Sequence, residues 1–107
     1  MQDMDLFKVS DDEALERVKR DGMELRFIDH QTPEICMAAV KQSELALEFV
    51  KEQTPEICLA AVKQSAYALV YVKDQTTELC LVAVRQNSDA LKFVRNKTPE
   101  IRLAAKK

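Results

Sequence analysis

The segment from Gln31 to Glu52 reads QTPEICMAAVKQSELALEFVKE, and the next segment, Gln53 to Asp74, repeats it almost letter for letter as QTPEICLAAVKQSAYALVYVKD. A third copy, QTTELCLVAVRQNSDALKFVRN, occupies residues 75–96, and a half copy, KTPEIRLAAKK, occupies residues 97–107. Residues 9–30 keep the same frame with fewer matches. This fixed period of 22 residues is typical of a tandem structural repeat, in which a small unit stacks on copies of itself.

Each full copy carries the signals of two short helices. Thr32 can accept a hydrogen bond from a free helical N–H, and Pro33 suits the first helical position, so helix A begins here. Helix A is predicted to extend to about Gln42. Ser43 is the next cap candidate and predicts a second helix, B, at roughly Glu44 to Lys51. The residues that match Ser43 in the other copies are Asp21, Ser65 and Asn87.

Hairpins of this size are too short to be stable alone, so they must stack on one another. The sequence therefore predicts an all-α protein, a short α-solenoid of about four and a half helical-hairpin repeats. The predicted repeats of this single domain are 9–30, 31–52, 53–74, 75–96 and the half repeat 97–107. Residues 1–8 would form an N-terminal tail or cap.

The outermost copies replace apolar positions with charged residues, as a finite stack requires at its two ends. These replacements are Glu13, Glu16 and Arg17 in the first copy and Arg102 and Lys106 in the last. The pattern is typical of a complete small protein rather than of a fragment of a longer array.

Composition narrows the class of protein. The chain has 107 residues with only one glycine and three prolines, which favours helices over a loop-rich or β fold. Its 16 basic and 18 acidic residues leave a net charge of −2, which gives no reason to expect an anionic partner. The apolar runs are too short to span a bilayer, and the acidic N-terminal segment is unlike a signal peptide. We expect a soluble cytoplasmic protein that does not insert into a membrane.

The repeated words TPEICLAAVKQ and ALxYVK resemble the DUF4116 family, a domain of unknown function that occurs as tandem short helical repeats. The resemblance covers roughly residues 31–96 well, and it implies a helical repeat without implying an activity, cofactor or catalytic residue. Many such repeats have a glycine near the turn between helices, whereas only Gly22 fits that pattern here. Turn geometry is therefore in question at the corresponding positions, which are Glu44, Ala66 and Ser88.

Cys36, Cys58 and Cys80 occupy one position of successive A helices and could suggest a metal or redox site. Packed helices lie about 8 to 10 Å apart, whereas a disulfide needs Cα atoms within about 7 Å. Zinc sites favour paired spacings such as CxxC, which this chain lacks. We expect buried, reduced thiols, no metal and no cofactor. With a lone histidine, His30, and no nucleophile–base motif or phosphate loop, the sequence indicates a protein that is not an enzyme.

Two rows of charge follow from the period. Acidic residues lie near the start of each A helix and basic residues near its end, as the helix dipole favours. The acidic row is Asp12, Glu34, Glu56, Glu78 and Glu100, and the basic row is Lys19, Lys41, Lys63 and Arg85. The basic row could follow a phosphate backbone, which makes nucleic-acid binding the alternative function. No aromatic residues alternate with it, so this partner is less expected than a protein.

Positions that vary between copies are the best guide to function. On helix B they form the triplets Gly22, Met23, Arg26; Glu44, Leu45, Glu48; Ala66, Tyr67, Val70; and Ser88, Asp89, Lys92. At α-helical spacing, each triplet lies on one face. The sequence predicts a non-enzymatic protein-interaction module, such as a small regulator or inhibitor, that binds another protein or itself through Met23, Leu45, Tyr67 and Val70. An alternative places these side chains in the groove between helices, where they would complete the core.

Overall fold

A computed structural model describes residues 9–106 of the protein. The predicted tail or cap, residues 1–8, lies outside the described residues. Helix A of each repeat is an α-helix: α1 Asp11–Arg20, α2 Pro33–Gln42, α3 Pro55–Gln64, α4 Thr77–Gln86 and α5 Pro99–Ala105. Helix B is a 3₁₀ helix: η1 Gly22–Phe27, η2 Glu44–Phe49, η3 Ala66–Tyr71 and η4 Ser88–Phe93. No strand occurs among residues 9–106, which confirms the predicted all-α repeat.

Side-chain caps begin the α-helices where the sequence predicts them. The Thr32 Oγ1 accepts a hydrogen bond from the Ile35 N–H at 3.1 Å, and Pro33 occupies the first turn. The same bond recurs at Thr54, Thr76 and Thr98. Each cap satisfies one of the N–H groups that the first helical turn leaves without a partner.

The second helix of each repeat differs from the prediction in type and in length. Asp21, Ser65 and Asn87 accept a hydrogen bond from the N–H two residues on, whereas the Ser43 hydroxyl makes no such bond. The helix is 3₁₀, with bonds such as Val50 N–H to the Leu47 carbonyl, and it ends two residues before the predicted limit. Six residues of 3₁₀ helix rise about 12 Å, as far as eight residues of α-helix.

The repeats stack into two layers, one of α-helices and one of 3₁₀ helices. Each α-helix packs against the α-helices of its neighbours and against the 3₁₀ helices below it. The chain measures 59 × 21 × 17 Å with a radius of gyration of 15.9 Å, larger than the roughly 13 Å of a compact domain of this length. One continuous apolar core follows the stack, and it holds no polar or charged residue among those described.

Gly22 allows the first two repeats to approach closely. A Cβ atom built at this position would lie 2.3 Å from the Ala39 carbonyl oxygen, a backbone atom that cannot rotate away. The turns themselves do not need glycine, because the turn residues before all four 3₁₀ helices share one extended conformation with φ between −151° and −154°. The turn geometry is therefore the same in all four repeats, and Gly22 is needed for close packing against α2 rather than for the turn.

Replacing Gly22 with alanine should destabilise the protein by about 1 to 3 kcal/mol, because the clash exceeds the gain of up to about 1 kcal/mol in helix propensity. Urea denaturation followed by circular dichroism measures the change. Ser88→Ala is the matched control at the exposed equivalent position, with an expected change within about 0.5 kcal/mol. Equal stability of the Gly22→Ala variant and the parent protein would contradict the close approach.

Candidate functional site

The residues predicted to bind a protein lie along the 3₁₀ layer, and three of the four are exposed. Leu45, Tyr67 and Val70 expose 45%, 43% and 46% of their surfaces, whereas Met23 is half-buried. Leu45 and Tyr67 occupy the same position in neighbouring 3₁₀ helices. We call Leu45, Tyr67 and Val70 the η patch. Met23 has the equivalent position in η1 but is half-buried, so it is not included in the patch.

The predicted triplets do not form single faces, because a 3₁₀ helix repeats every three residues. Tyr67 and Val70 are three apart and share the exposed row. Ala66 is 3% exposed and shares a buried row with Leu69. The first member of the triplet is buried at Gly22 and Ala66, half-buried at Glu44 and exposed at Ser88. The second and third members are exposed, except for the half-buried Met23.

Tyr67 also contacts the next repeat. Its ring meets the Phe93 ring edge to face, with centroids 5.6 Å apart. The Asn87 amide donates a hydrogen bond to the Tyr67 hydroxyl at 3.2 Å. Tyr67 is thus held rigidly while it remains accessible, and rigid aromatic residues are frequent anchors at interfaces.

The basic row that could serve nucleic acid is exposed at all four of its positions, Lys19, Lys41, Lys63 and Arg85. The acidic row is exposed on the same helices. His30 lies at a repeat boundary, where its Nδ1 is 3.0 Å from the Asp11 Oδ1, and both side chains are exposed.

A row of glutamine amides joins successive repeats, and the sequence analysis missed it. The Gln53 Nε2 donates to the Tyr71 carbonyl at 2.9 Å, and its Oε1 accepts from the Lys73 N–H at 2.9 Å. Gln31 and Gln75 make the same pair of bonds at the same distances within their own repeats. The Nε2 groups of this row also donate to carbonyls of the preceding repeats, at 3.1 to 3.3 Å; these carbonyls belong to Ile28, Leu47 and Leu69. Each amide satisfies a donor and an acceptor where the 3₁₀ helix of its own repeat ends.

A second row of amides also bonds to the preceding repeat. The Gly22 N–H donates to the Gln42 Oε1, and the Gln64 Nε2 donates to the Val40 carbonyl. Gln86, oriented so that its nitrogen faces the preceding repeat, donates to the Val62 and Lys63 carbonyls at 3.3 Å and accepts from the Ala66 N–H at 3.2 Å. These amides satisfy peptide groups where an α-helix ends and a 3₁₀ helix begins.

A signal for both rows was present in the sequence. Glutamine recurs at the first and the twelfth position of every full copy from residue 31 to residue 96. A solvated surface position tolerates many polar residues, so strict recurrence of one amide indicates that both its donor and its acceptor are used. Val9 occupies the first position of the first repeat, residues 9–30, and packs against the core.

Replacing Gln53 with methionine should lower the free energy of unfolding by about 2 to 3 kcal/mol, because the Tyr71 carbonyl and the Lys73 N–H lose their partner. The measurement is urea denaturation. Glu52→Ala, at an exposed neighbouring position, should change stability by less than about 0.5 kcal/mol. A similar small change in Gln53→Met would show that the amide row is not structural.

The three cysteines are free and buried, as predicted. Each thiol lies beside the amide oxygen of the first-row glutamine in its own repeat, with the Cys36 Sγ 3.4 Å from the Gln31 Oε1. Burial raises the pKa of all three thiols, nearby Asp74 raises that of Cys58 further, and Arg95 partly offsets the rise in pKa at Cys80. No group of three potential metal ligands forms within residues 9–106.

The raised thiol pKa values predict a loss of stability at high pH. The thiols ionise in the unfolded chain above about pH 8.5 while they remain protonated in the folded protein, so their contribution is fully present below that pH and is lost as pH rises. Denaturation at pH 7 and pH 9.5 should show a larger decrease for the parent protein than for a variant with alanine at positions 36, 58 and 80. Alanine is a matched replacement, because buried Ala14 holds this position in the first repeat. Equal decreases in both proteins would rule the effect out.

Comparisons with known proteins support the resemblance for part of the chain. The model of the domain of unknown function DUF4116 matches residues 33–76, from α2 into the loop before α4. This segment includes Leu45, Tyr67 and Val70 and four of the bridging glutamines. Neither the curated proteins nor the solved structures give a match. Among the described residues, no helix has the length and apolar character needed to cross a membrane.

Proposed function

We propose that this chain is a non-enzymatic protein-binding module whose η patch forms the centre of an interface with another protein. The exposure of Leu45, Tyr67 and Val70 on adjacent repeats carries the proposal, because these side chains remain outside the core while their chain neighbours are buried in it; these neighbours are Ala46, Ala68 and Leu69. Exposed apolar patches on small proteins commonly mark interaction sites.

The surroundings of the η patch support a protein partner. Glu48, Asp89 and Lys92 are exposed on the same rows of adjacent 3₁₀ helices and mix both signs of charge. An apolar centre with a polar, mixed rim is the usual arrangement of a protein interface. Nucleic acid would favour a basic surface, and here the basic row shares its helices with the acidic row.

Replacing Leu45 and Val70 with glutamate should weaken partner binding at least about tenfold, because a central apolar contact contributes about 1.4 kcal/mol or more. A partner captured from the source cell by the parent protein would be purified, and its Kd measured for both proteins. Tyr67 is left intact because its removal would also break the Phe93 and Asn87 contacts.

Phe27→Glu is the matched control, since Phe27 is 60% exposed and lies outside the η patch. It should bind the partner as the parent protein does. A double variant that unfolds in circular dichroism would place Leu45 and Val70 in the core and refute the patch. Unchanged binding, or salt-sensitive retention on heparin that Lys63→Glu abolishes, would instead favour another surface or the nucleic-acid alternative.

A further inference from the structure

The outward face of the α layer is apolar along its centre. In α2, Ile35, Cys36, Ala39 and Val40 are buried and define the inner face. Positions 34, 37, 38 and 41 lie on the opposite side of a helix that turns 100° per residue. The outward face of α2 therefore presents a glutamate, a methionine, an alanine and a lysine in that order.

The same order recurs along the stack and produces an apolar stripe on the α layer. The large members of this stripe are Leu15, Met37, Leu59, Leu81 and Leu103, and the small ones are Ala38, Ala60, Val82 and Ala104. All are partly exposed, and Leu103 exposes 63% of its surface. We call this set the α stripe. The η patch is confined to two repeats, whereas the α stripe continues through all five α-helices.

The acidic and basic rows flank the α stripe on its two sides. Glu56 and Lys63 are seven residues apart on one helix, about 10 Å along its axis, with Leu59 and Ala60 between them. No residue of either row forms an ion pair within the described part of the chain. The charged contacts found there, Arg17–Glu24 and Asp11–His30, involve residues outside both rows. Each copy thus carries two separated lines of opposite charge, parallel to one another.

We infer that the α stripe is the interface of a homodimer, with a twofold axis parallel to the stack. Rotation about that axis turns the second copy over and reverses its helix direction. Its acidic row then faces the basic row of the first copy on one side, its basic row faces the acidic row on the other, and the two α stripes meet between them.

Charge selects this arrangement over the other face-to-face dimer. A twofold axis parallel to the helices would place acidic row against acidic row and basic row against basic row, which costs free energy at both edges. In the favoured dimer, repeat meets like repeat, so a closed pair forms without exposing a further stripe.

The area is sufficient for a specific dimer. Five helices spaced about 8 to 10 Å apart and about 15 Å long cover roughly 600 to 750 Å² per copy. Specific interfaces bury about 1,200 to 2,000 Å² in total, so this face lies at the lower end of the range. We expect a reversible dimer with a Kd in the micromolar range.

Sedimentation equilibrium of the parent protein tests the dimer directly, against a monomer mass of 12.2 kDa. Two variants test its orientation: Glu56→Lys with Glu78→Lys makes both edges basic, and Lys63→Glu with Arg85→Glu makes both edges acidic. Each variant alone should dimerise at least tenfold more weakly, and an equimolar mixture should recover the parent affinity within about threefold. A parent protein that is monomeric at 100 µM, or a mixture that stays monomeric, would overturn the proposal.

Disulfide cross-linking tests the position of the twofold axis by proximity rather than by charge. Ala60 lies at the middle of α3, close to the proposed axis, so an Ala60→Cys variant should form an intermolecular disulfide under mild oxidation. Glu56→Cys, one turn away, should cross-link at least fivefold more slowly because its equivalent lies at the opposite edge. Circular dichroism verifies that both variants are folded. Faster cross-linking at position 56 would indicate the other axis and refute the model.

Discussion

The glutamine side chain that bridges one repeat to the next is the interaction on which this fold depends. A 22-residue unit with two short helices has many helix ends for its length, and each end leaves peptide groups without helical partners. An amide carries both a donor and an acceptor in one plane, so a single Gln53 satisfies the Tyr71 carbonyl and the Lys73 N–H together. Tyr71 and Lys73 belong to the same repeat as Gln53, and the Gln53 Nε2 also donates to the Leu47 carbonyl of the preceding repeat at 3.3 Å, so one amide links the ends of two successive 3₁₀ helices.

Bonds between neighbouring repeats make the folding of the stack cooperative. The glutamines of both rows bond to the preceding repeat, so an internal repeat contributes amide side chains to the repeat before it and is bonded by those of the repeat after it. Apolar contacts also join the repeats, because one core is continuous along the stack. Stability is then shared between intrinsic terms and nearest-neighbour terms, as in other solenoids. The first repeat is different: Val9 stands where the later repeats have a glutamine, and Gly22 allows the second repeat to approach closely.

The two layers offer surfaces of different character. The outward face of the α layer is nearly the same in every repeat, whereas the outward face of the 3₁₀ layer varies from copy to copy. A uniform face suits recognition of an identical face, since like repeats meet across a twofold axis. A variable face suits a partner with its own distinct surface. The α stripe and the η patch can thus be occupied at the same time, because they belong to separate layers.

The sequence by itself determined the features that depend on a few neighbouring residues. Thr32 and Pro33 start an α-helix through bonds within one turn, and the period of 22 places the same helix in each copy. The burial of Cys36 follows from its place on the apolar face. Variation between copies marked Leu45 and Tyr67 as surface candidates, while their placement in the groove between helices stayed open until the structure showed them exposed.

Only the tertiary structure decided the rest. The role of Gln53 rests on groups 18 and 20 residues away, and the need for Gly22 rests on a carbonyl in the next repeat. The 3₁₀ form of the second helix places Ala66 in the packing and leaves Val70 outside, although local patterning had grouped the two. Local signals identify where a helix begins, but its type, its buried rows and the partners of its polar side chains depend on segments that pack against it from elsewhere in the chain.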